Sequence, residues 1–564
     1  MKSEAVKLLK KALKEKGIKW DEEKINSMIE IPPSDDLGDY AFPCFALEKE
    51  MKIMPSEIAL ELREKMGNIS ELYFEDVQTS GPYVNFFINY REQIYESLKE
   101  ILKKRENFGK SNLGKRNTMV IEFSSPNIAK PFGIGHIRST IIGNSIANLC
   151  EFQGFTTKRI NYLGDWGAQF GQLIFAYKKF KNAKKFKENS LGYLQEIYIK
   201  VNKNKKYLES SQKEFKKLEE GDRENIALWR KFKELSLEEF KKIYSLFGIE
   251  FDEFSNESDT NKYLEEILEE LKNKKLARKS QGALVVHLKK YGLGTAIMEK
   301  SDGTSIYCLR DIAEAIRRYK KYNFEKMIYE VGNEQKMHFK QVFKILELMG
   351  NEWAGQCIHV GHGLYFGKDG KKFSTRKGKT VDLGEMIEIT KIYAKKEIAK
   401  RFSDLKKDEL EERSLRVALA SIFYGDLKNN RETNVIFDPK KFVSFEGNTG
   451  SYIMYSYARA SSILKKAKTK EKVSVPEELE EPEKNLFKNL MEFPKVALKA
   501  YATYNPSAVA NYVYSLCKNF NEFYHNCPVI GSKEEPFRLT LVESFRQVLR
   551  NSCNLLGIKL LEEM

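Results

Sequence analysis

Four short apolar runs, at 119–123, 283–288, 327–331 and 357–360, alternate with helical periodicity between residues 116 and 380. Parallel neighbouring strands need a long return connection and a helix supplies it, so this alternation predicts a parallel sheet wound by crossover helices. A Lys/Glu-rich helical stretch at 182–275 interrupts it as an insertion. Residues 1–112 combine two helical stretches with a strand-like run at 83–89, and from 381 to 564 helical periodicity dominates, with a Pro-punctuated linker near 473–483. A chain of 564 residues exceeds what one core can serve, since single cores stop growing near ~250–300 residues. The expected class is therefore multidomain α/β plus α: a small N-terminal α/β domain, a Rossmann-like parallel-sheet domain with a helical insertion, and a C-terminal helical bundle.

The run at 119–123 feeds a loop with Gly133 and Gly135 and then Ile137, Ile141, Ile142, Ile146 and Leu149, whose spacing marks one buried helix face. His136 thus stands at a helix start after a strand-to-helix turn. Unpaired N–H groups and the positive end of the helix dipole favour phosphate there, and glycines let a ligand approach the backbone. A second segment, Lys371-Lys-Phe-Ser-Thr-Arg-Lys-Gly378, is a basic loop of the kind that can close over departing phosphates. Together the two segments suggest a nucleoside triphosphate site. Alone, each is an ordinary glycine turn beside basic residues.

The formal net charge of +16 favours a polyanionic partner, nucleic acid before acidic protein, although abundant Lys can equally be a solvated surface. Seven scattered cysteines without a C-x-x-C pair point to reduced thiols in a cytoplasmic compartment and away from a zinc ribbon. No apolar run approaches the ~18–20 residues of a membrane span, and the basic, amphipathic N-terminus is interrupted by Glu4, Glu15, Asp21, Glu22 and Glu23, as in a surface helix. The six histidines lack metal-binding spacing, so no protein-bound metal is expected; Mg²⁺ can arrive with a triphosphate, held mostly by phosphate.

A polar and acidic constellation comes next: Glu122 at a strand end, Asn127 in the following loop, Tyr307 and Asp311 at i,i+4, and Gln335 and His338 at i,i+3. Ligands of doubly wound sheets gather at the carboxyl ends of strands. Two carboxylates there suit a cation, and a planar guanidinium best, because its fork of donors can be held bidentately. Alternatively, Asp311 pairs with Arg310, Arg317 or Arg318 on a solvated helix face.

Over essentially its full length the chain resembles the arginyl-tRNA synthetases of class I. Glu122-Phe-Ser-Ser-Pro-Asn-Ile-Ala-Lys-Pro-Phe-Gly-Ile-Gly-His136 is similar to the family's first signature, and Phe373-Ser-Thr-Arg-Lys-Gly378 to its second. Asn161-Tyr-Leu-Gly-Asp-Trp-Gly-Ala-Gln-Phe170 is similar to a segment particular to this synthetase. Tyr307-Cys-Leu-Arg-Asp311 and Glu334-Gln-Lys-Met-His338 resemble its amino-acid pocket, and Glu446-Gly-Asn-Thr-Gly-Ser-Tyr452 with the chain end its anticodon domain. The resemblance implies that arginine attacks the α-phosphate of ATP, giving arginyl-adenylate and pyrophosphate, and that the 3′ end of tRNA(Arg) then takes the arginyl group, with tRNA required for the first step. It assigns catalysis to His136, Lys130, Lys372, Arg376 and Lys377, and ATP binding to Gly133, Gly135, His136, His362 and Ser374. It assigns arginine binding to Glu122, Asn127, Tyr307, Asp311 and Gln335, and tRNA contacts to Tyr83, Asn85 and Tyr457. Residues 1–112 would read the tRNA elbow, 116–380 would be catalytic and 381–564 would bind the anticodon, in a cytoplasmic monomer using ATP with Mg²⁺.

The chain departs from the family pattern in three places. Gly133 stands where the first signature begins with His, Thr375 where the second ends in Lys, with Lys130 placed to substitute, and Met454 and Tyr457 where Gln and His are frequent. Gly133 motivates an alternative, a tRNA-binding relative without catalysis. A same-class synthetase for another amino acid is a third reading; no zinc-like cysteine set supports cysteine, and acids in the pocket repel anionic side chains.

Overall fold

The computed structural model describes residues 2–69, 73–300, 307–367, 370, 383–402, 405–467 and 474–564. The chain divides into two compact units. One comprises Met1–Arg105, Ile463–Met491 and Glu522–Phe545, the other Glu106–Ser462, Glu492–Asn521 and Arg546–Met564.

In the first unit, helices Lys2–Glu15 and Pro55–Met66 cover an antiparallel sheet of β1 (Tyr40–Pro43), β2 (Phe74–Ser80) and β3 (Tyr83–Ile88), in the order β1-β3-β2. Ala5, Val6, Leu9, Ala12 and Leu13 form the buried stripe of the first helix while Lys7, Lys10, Lys11 and Lys14 stay exposed, the 3.6-residue period of a surface helix.

The second unit holds β4 (Thr118–Glu122), β5 (Thr156–Leu163), β6 (Glu253–Asn256), β7 (Ala277–Ser280), β8 (Ala283–His287), β9 (Thr295–Glu299), β10 (Lys326–Gly332), β11 (Cys357–His362), β12 (Tyr365–Phe366) and β13 (Val435–Ile436). Five of them make an all-parallel sheet in the order β11-β10-β4-β5-β6. Helix Ile134–Phe152 connects β4 to β5, and helix Lys336–Leu348 connects β10 to β11. Met119, Val120 and Ile121 are fully buried, as a strand covered on both faces requires. The chain leaves β4 towards β5 and β6 and returns on the opposite side to β10 and β11. The carboxyl ends of β4 and β10 are thus the topological switch point, where ligands of such sheets bind.

Two expectations are corrected. Residues 283–288 do not join the parallel sheet; β8 is the middle strand of an antiparallel sheet β7-β8-β9. Gln281 and Gly282, with φ of +50° and +82°, make a two-residue turn that returns the chain beside β7 and leaves no room for a crossover. The stretch 182–275 is helical only in part: helices Ala183–Glu188, Ser190–Asn202, Leu208–Glu219 and Arg223–Phe247 occupy its first portion, and β6 then adds an edge to the main sheet. Beyond β12, helices dominate: Leu383–Ala399, Lys407–Leu427, Gly450–Lys466, Glu481–Ala502, Ser507–Asn526 and Glu535–Leu555. All seven cysteines are free thiols and buried. Among the described residues no helix is long and apolar enough to cross a membrane.

Candidate active site

The turn after β4 is strained and over-determined. Ser124, Ser125 and Ala129 take φ of +71°, +41° and +60°, a region that costs non-glycine residues about 1–3 kcal/mol each. Side chains from two helices, Ile134–Phe152 and Arg223–Phe247, hold it. The Ser124 N–H donates to Ser139 Oγ at 2.8 Å, its hydroxyl bonds Tyr244 Oη at 2.8 Å, and the Ala129 N–H donates to Ser236 Oγ at 2.8 Å. Asn161 Nδ2 donates to the same tyrosine oxygen. Asn127 sits exposed over Gly164, where a Cβ would come within 2.2 Å of its Oδ1.

The helix starting at Ile134 places His136 in its first turn, where Nδ1 accepts the Gly133 N–H at 3.1 Å. The neutral ring therefore carries its proton on Nε2. The ring edge is partly solvent-accessible, but dense surroundings, with Lys130 as a lesser cause, hold the imidazole pKa down at about 4. A Cβ built on Gly133 or Gly135 would meet no protein atom within 4 Å, and neither has positive φ. Their missing side chains serve neither packing nor a turn; they leave space open beside the helix N-terminus.

The acidic side of the crevice comes from β4, β6 and helix Tyr307–Tyr322. Glu122, expected to hold the arginine directly, is instead buried and ion-paired with Arg318, which also donates to Glu314 Oε1 at 2.9 Å. Burial pushes the Glu122 carboxyl up, to about 7, against the pull of that guanidinium, and Asp311 adds to the rise. Arg317 is taken by Glu314 and Glu253, and Arg310 donates to the Glu257 carbonyl and to Asn261 Oδ1. The Asp311 carboxylate meets His338 Nε2 at 2.5 Å. Tyr307, one turn before Asp311, is 63% exposed, and Gln335 is exposed at the turn after β10.

Glu257 escaped the sequence reading. It follows β6, and burial, reinforced by Asp311, pushes its carboxyl up to about 8. Its signal was available in Phe251-Asp-Glu-Phe-Ser-Asn-Glu257, but only pairing of β6 with β5 brings it to the switch point. Arg318, one of three surface partners that the alternative reading offers Asp311, is wholly buried and pairs with Glu122 instead. His362 ends β11, with Nδ1 at 2.7 Å from Glu330 Oε1. Lys130 packs its ammonium 5.5 Å from the Tyr198 ring centre.

Lys372, Ser374, Arg376 and Lys377 lie outside the described residues. In the first unit, Tyr83 is half-buried against Phe45 and Asn85 is buried in β3. Tyr457, expected to offer a ring to tRNA, is corrected by its packing. It is 1% exposed, and its hydroxyl meets Glu562 and Arg550 at 3.0 and 2.8 Å, so no ring face is open to a base.

Three family models match in order: the arginyl-tRNA synthetase N-terminal domain at residues 3–88, the class I (R) tRNA synthetase catalytic domain at 97–439, and the DALR anticodon binding domain at 453–564. The chain is 42% identical to an arginine--tRNA ligase of Clostridium kluyveri, covering 96% of each chain, and 40% identical to that of Clostridium perfringens, covering 99% of each. Its fold superposes on Thermus thermophilus arginyl-tRNA synthetase with a TM-score of 0.80 at 23% identity, covering both chains fully. For the Plasmodium falciparum enzyme the TM-score is 0.78 at 25% identity, covering 100% of this chain and 98% of that one. With the switch-point crevice, the Gly-lined helix start and the acidic pocket in one fold, the chain belongs to the class I arginyl-tRNA synthetase family.

Proposed function

We propose that the protein is an arginine--tRNA ligase: it activates L-arginine with ATP to arginyl-adenylate and transfers the arginyl group to the 3′ end of tRNA(Arg), releasing AMP and pyrophosphate. One observation carries the reading: Asp311 and Glu257 lie close enough to act on each other's charge, Glu257 just beyond β6 in the same parallel sheet whose β4 leads into the open helix start at Gly133–His136. A guanidinium held by the two acids, with Tyr307 over it, directs the arginine carboxylate towards the α-phosphate. Glu122 shapes this wall through Arg318, and Asn127 and Gln335 complete the rim. The His136 Nε2–H donates to the phosphate as its charge develops, and Lys130 with Lys372, Arg376 and Lys377 offsets the charge on pyrophosphate. Gly133, Gly135 and His362 line the ATP side, and Ser374 is assigned to ATP by the family resemblance alone. No covalent enzyme intermediate is required, so positioning and preorganised charge supply the catalysis.

Mg²⁺ enters as part of the ATP substrate. Residues 1–112 read the tRNA elbow through Tyr83, while Asn85, buried in β3, has no face to offer a base; 116–380 carry the chemistry, and 381–564 bind the anticodon, in a cytoplasmic monomer. The test is charging of total tRNA with labelled arginine, beside ATP–pyrophosphate exchange with and without tRNA. Arginine-specific charging with tRNA-dependent exchange is expected. Bound tRNA without charging would instead mark a binding protein in which Gly133 has cost the chemistry.

A further inference from the structure

Behind the nucleotide side of the crevice lies a buried carboxylate that the reaction described above does not use. Glu330, on β10, is 1% exposed. Its two oxygens are divided between two elements. Oε2 accepts the hydroxyl proton of Ser139, on helix Ile134–Phe152, at 2.5 Å, and Oε1 lies 2.7 Å from His362 Nδ1 at the end of β11. Ser139 has a single hydroxyl proton; its oxygen accepts the Ser124 N–H at 2.8 Å, and the proton has two acceptors, both on Glu330: Oε2 at 2.5 Å and, less favourably, the main-chain carbonyl at 3.1 Å. The donors run from Ser124 N–H to Ser139, from Ser139 to Glu330 and, in the Nδ1–H tautomer, from His362 Nδ1–H to the other oxygen of Glu330.

Each end of this relay has a consequence. At one end it holds the left-handed Ser124, whose neighbours carry Asn127 and Lys130. At the other end Nδ1 of His362 is spent on Glu330, which leaves Nε2 of the neutral ring as an acceptor. The backbone on both sides of that ring is pinned as well: Arg431 Nη1 donates to the Gly361 carbonyl at 2.6 Å and the Gly363 N–H donates to the Arg431 carbonyl at 2.9 Å.

We propose that Glu330 is a positioning residue for the nucleotide half of the site, holding the Ser124 turn through Ser139 and setting His362 to present Nε2 as an acceptor to an amino or hydroxyl donor of ATP. The proposal rests on the reading of this crevice as an ATP site. Buried carboxylates that hold a histidine in this way set its tautomer, and that tautomer is lost when the carboxylate becomes an amide even where the geometry stays.

The test uses the whole chain, labelled with ¹⁵N at its six histidines, with His362→Phe assigning the His362 resonance. In the unmodified protein, ring ¹⁵N shifts are expected to show the Nδ1–H tautomer for His362. In Glu330→Gln the side chain has one oxygen; kept on the shorter Ser139 arm, it turns its NH₂ to His362 Nδ1, which must then accept, so the ring is expected to take the Nε2–H tautomer. In pyrophosphate exchange the KM for ATP is then expected to rise about tenfold, with the KM for arginine within twofold. Ser139→Ala cuts only the arm to Ser124: it is expected to lower kcat about fivefold and leave the His362 tautomer unchanged, and it keeps the test informative if Glu330→Gln fails to fold. An Nε2–H tautomer in the unmodified protein would overturn the proposal, as would a KM for ATP unmoved in Glu330→Gln or equal increases for both substrates. Absence of arginine-dependent exchange in the unmodified protein with tRNA present would instead overturn the ligase reading, while the tautomer is read without activity.

Discussion

Asp311→Asn removes one charge from the acidic pocket while preserving shape. Asp311 Oδ2 is engaged by His338 at 2.5 Å, which leaves Oδ1 for the substrate guanidinium. One hydrogen bond to a charged group contributes ~1.5–3 kcal/mol. At ~1.4 kcal/mol per tenfold this corresponds to a loss of about 10- to 150-fold in kcat/KM for arginine. The KM for ATP should stay within twofold, because the change lies on the acidic wall. The substitution also acts on Glu257, whose carboxyl Asp311 helps to push up to about 8. An acid with so raised a pKa is mostly protonated at pH 7, and a guanidinium prefers its ionised form. Arginine kcat/KM should therefore rise as pH climbs from 6.5 to 8.5, and in Asp311→Asn the rise should begin at lower pH, since a like charge has gone. The assay is tRNA-dependent, arginine-dependent pyrophosphate exchange across that range. A loss under threefold, or an equal rise in both KM values, would refute the placement of the guanidinium.

Three further outcomes follow from the geometry. Replacing His136 by Gln should lower the exchange rate about 10²–10³-fold, the usual cost of a lost donor to developing charge; because the imidazole already sits near pKa 4, profiles of both proteins between pH 5.5 and 8.5 should share one shape. Gly143→Ala would put a Cβ 2.2 Å from Phe123 Cβ and should cost ~1–3 kcal/mol of stability in urea unfolding, a midpoint shift that a tolerated substitution would not give. Gly135→Ala, where a Cβ meets open space, should leave that midpoint unchanged or raise it while the KM for ATP increases; an unchanged KM would mean that no ligand comes close there.

Local code accounts for what could be read from residue order. Buried runs such as Met119-Val-Ile121 announced the sheet, Gly133 to His136 announced a helix start facing a ligand, and Tyr307 with Asp311 share a helix face because four residues make one turn. Residues 283–288 misled because an apolar run has the same composition in a crossover and in a hairpin, and the Gln281-Gly282 turn decides between them.

By itself, then, the sequence determined the parallel-sheet fold class, the helix start at His136, the Tyr307–Asp311 face and the resemblance that names the chemistry. Only the tertiary structure decided which charges cancel. Arg318 and Glu122 are 196 residues apart and form a buried pair, Ser139 and Glu330 are 191 apart, and Glu257 reaches the crevice only because β6 pairs with β5. Tyr457 closes against the chain end at Glu562, 105 residues on, and so loses the ring face that its position had suggested. The physical reason is range: helix faces and turns are set by neighbours within about four residues, whereas burial and pairing of charges depend on which distant strands the fold makes adjacent.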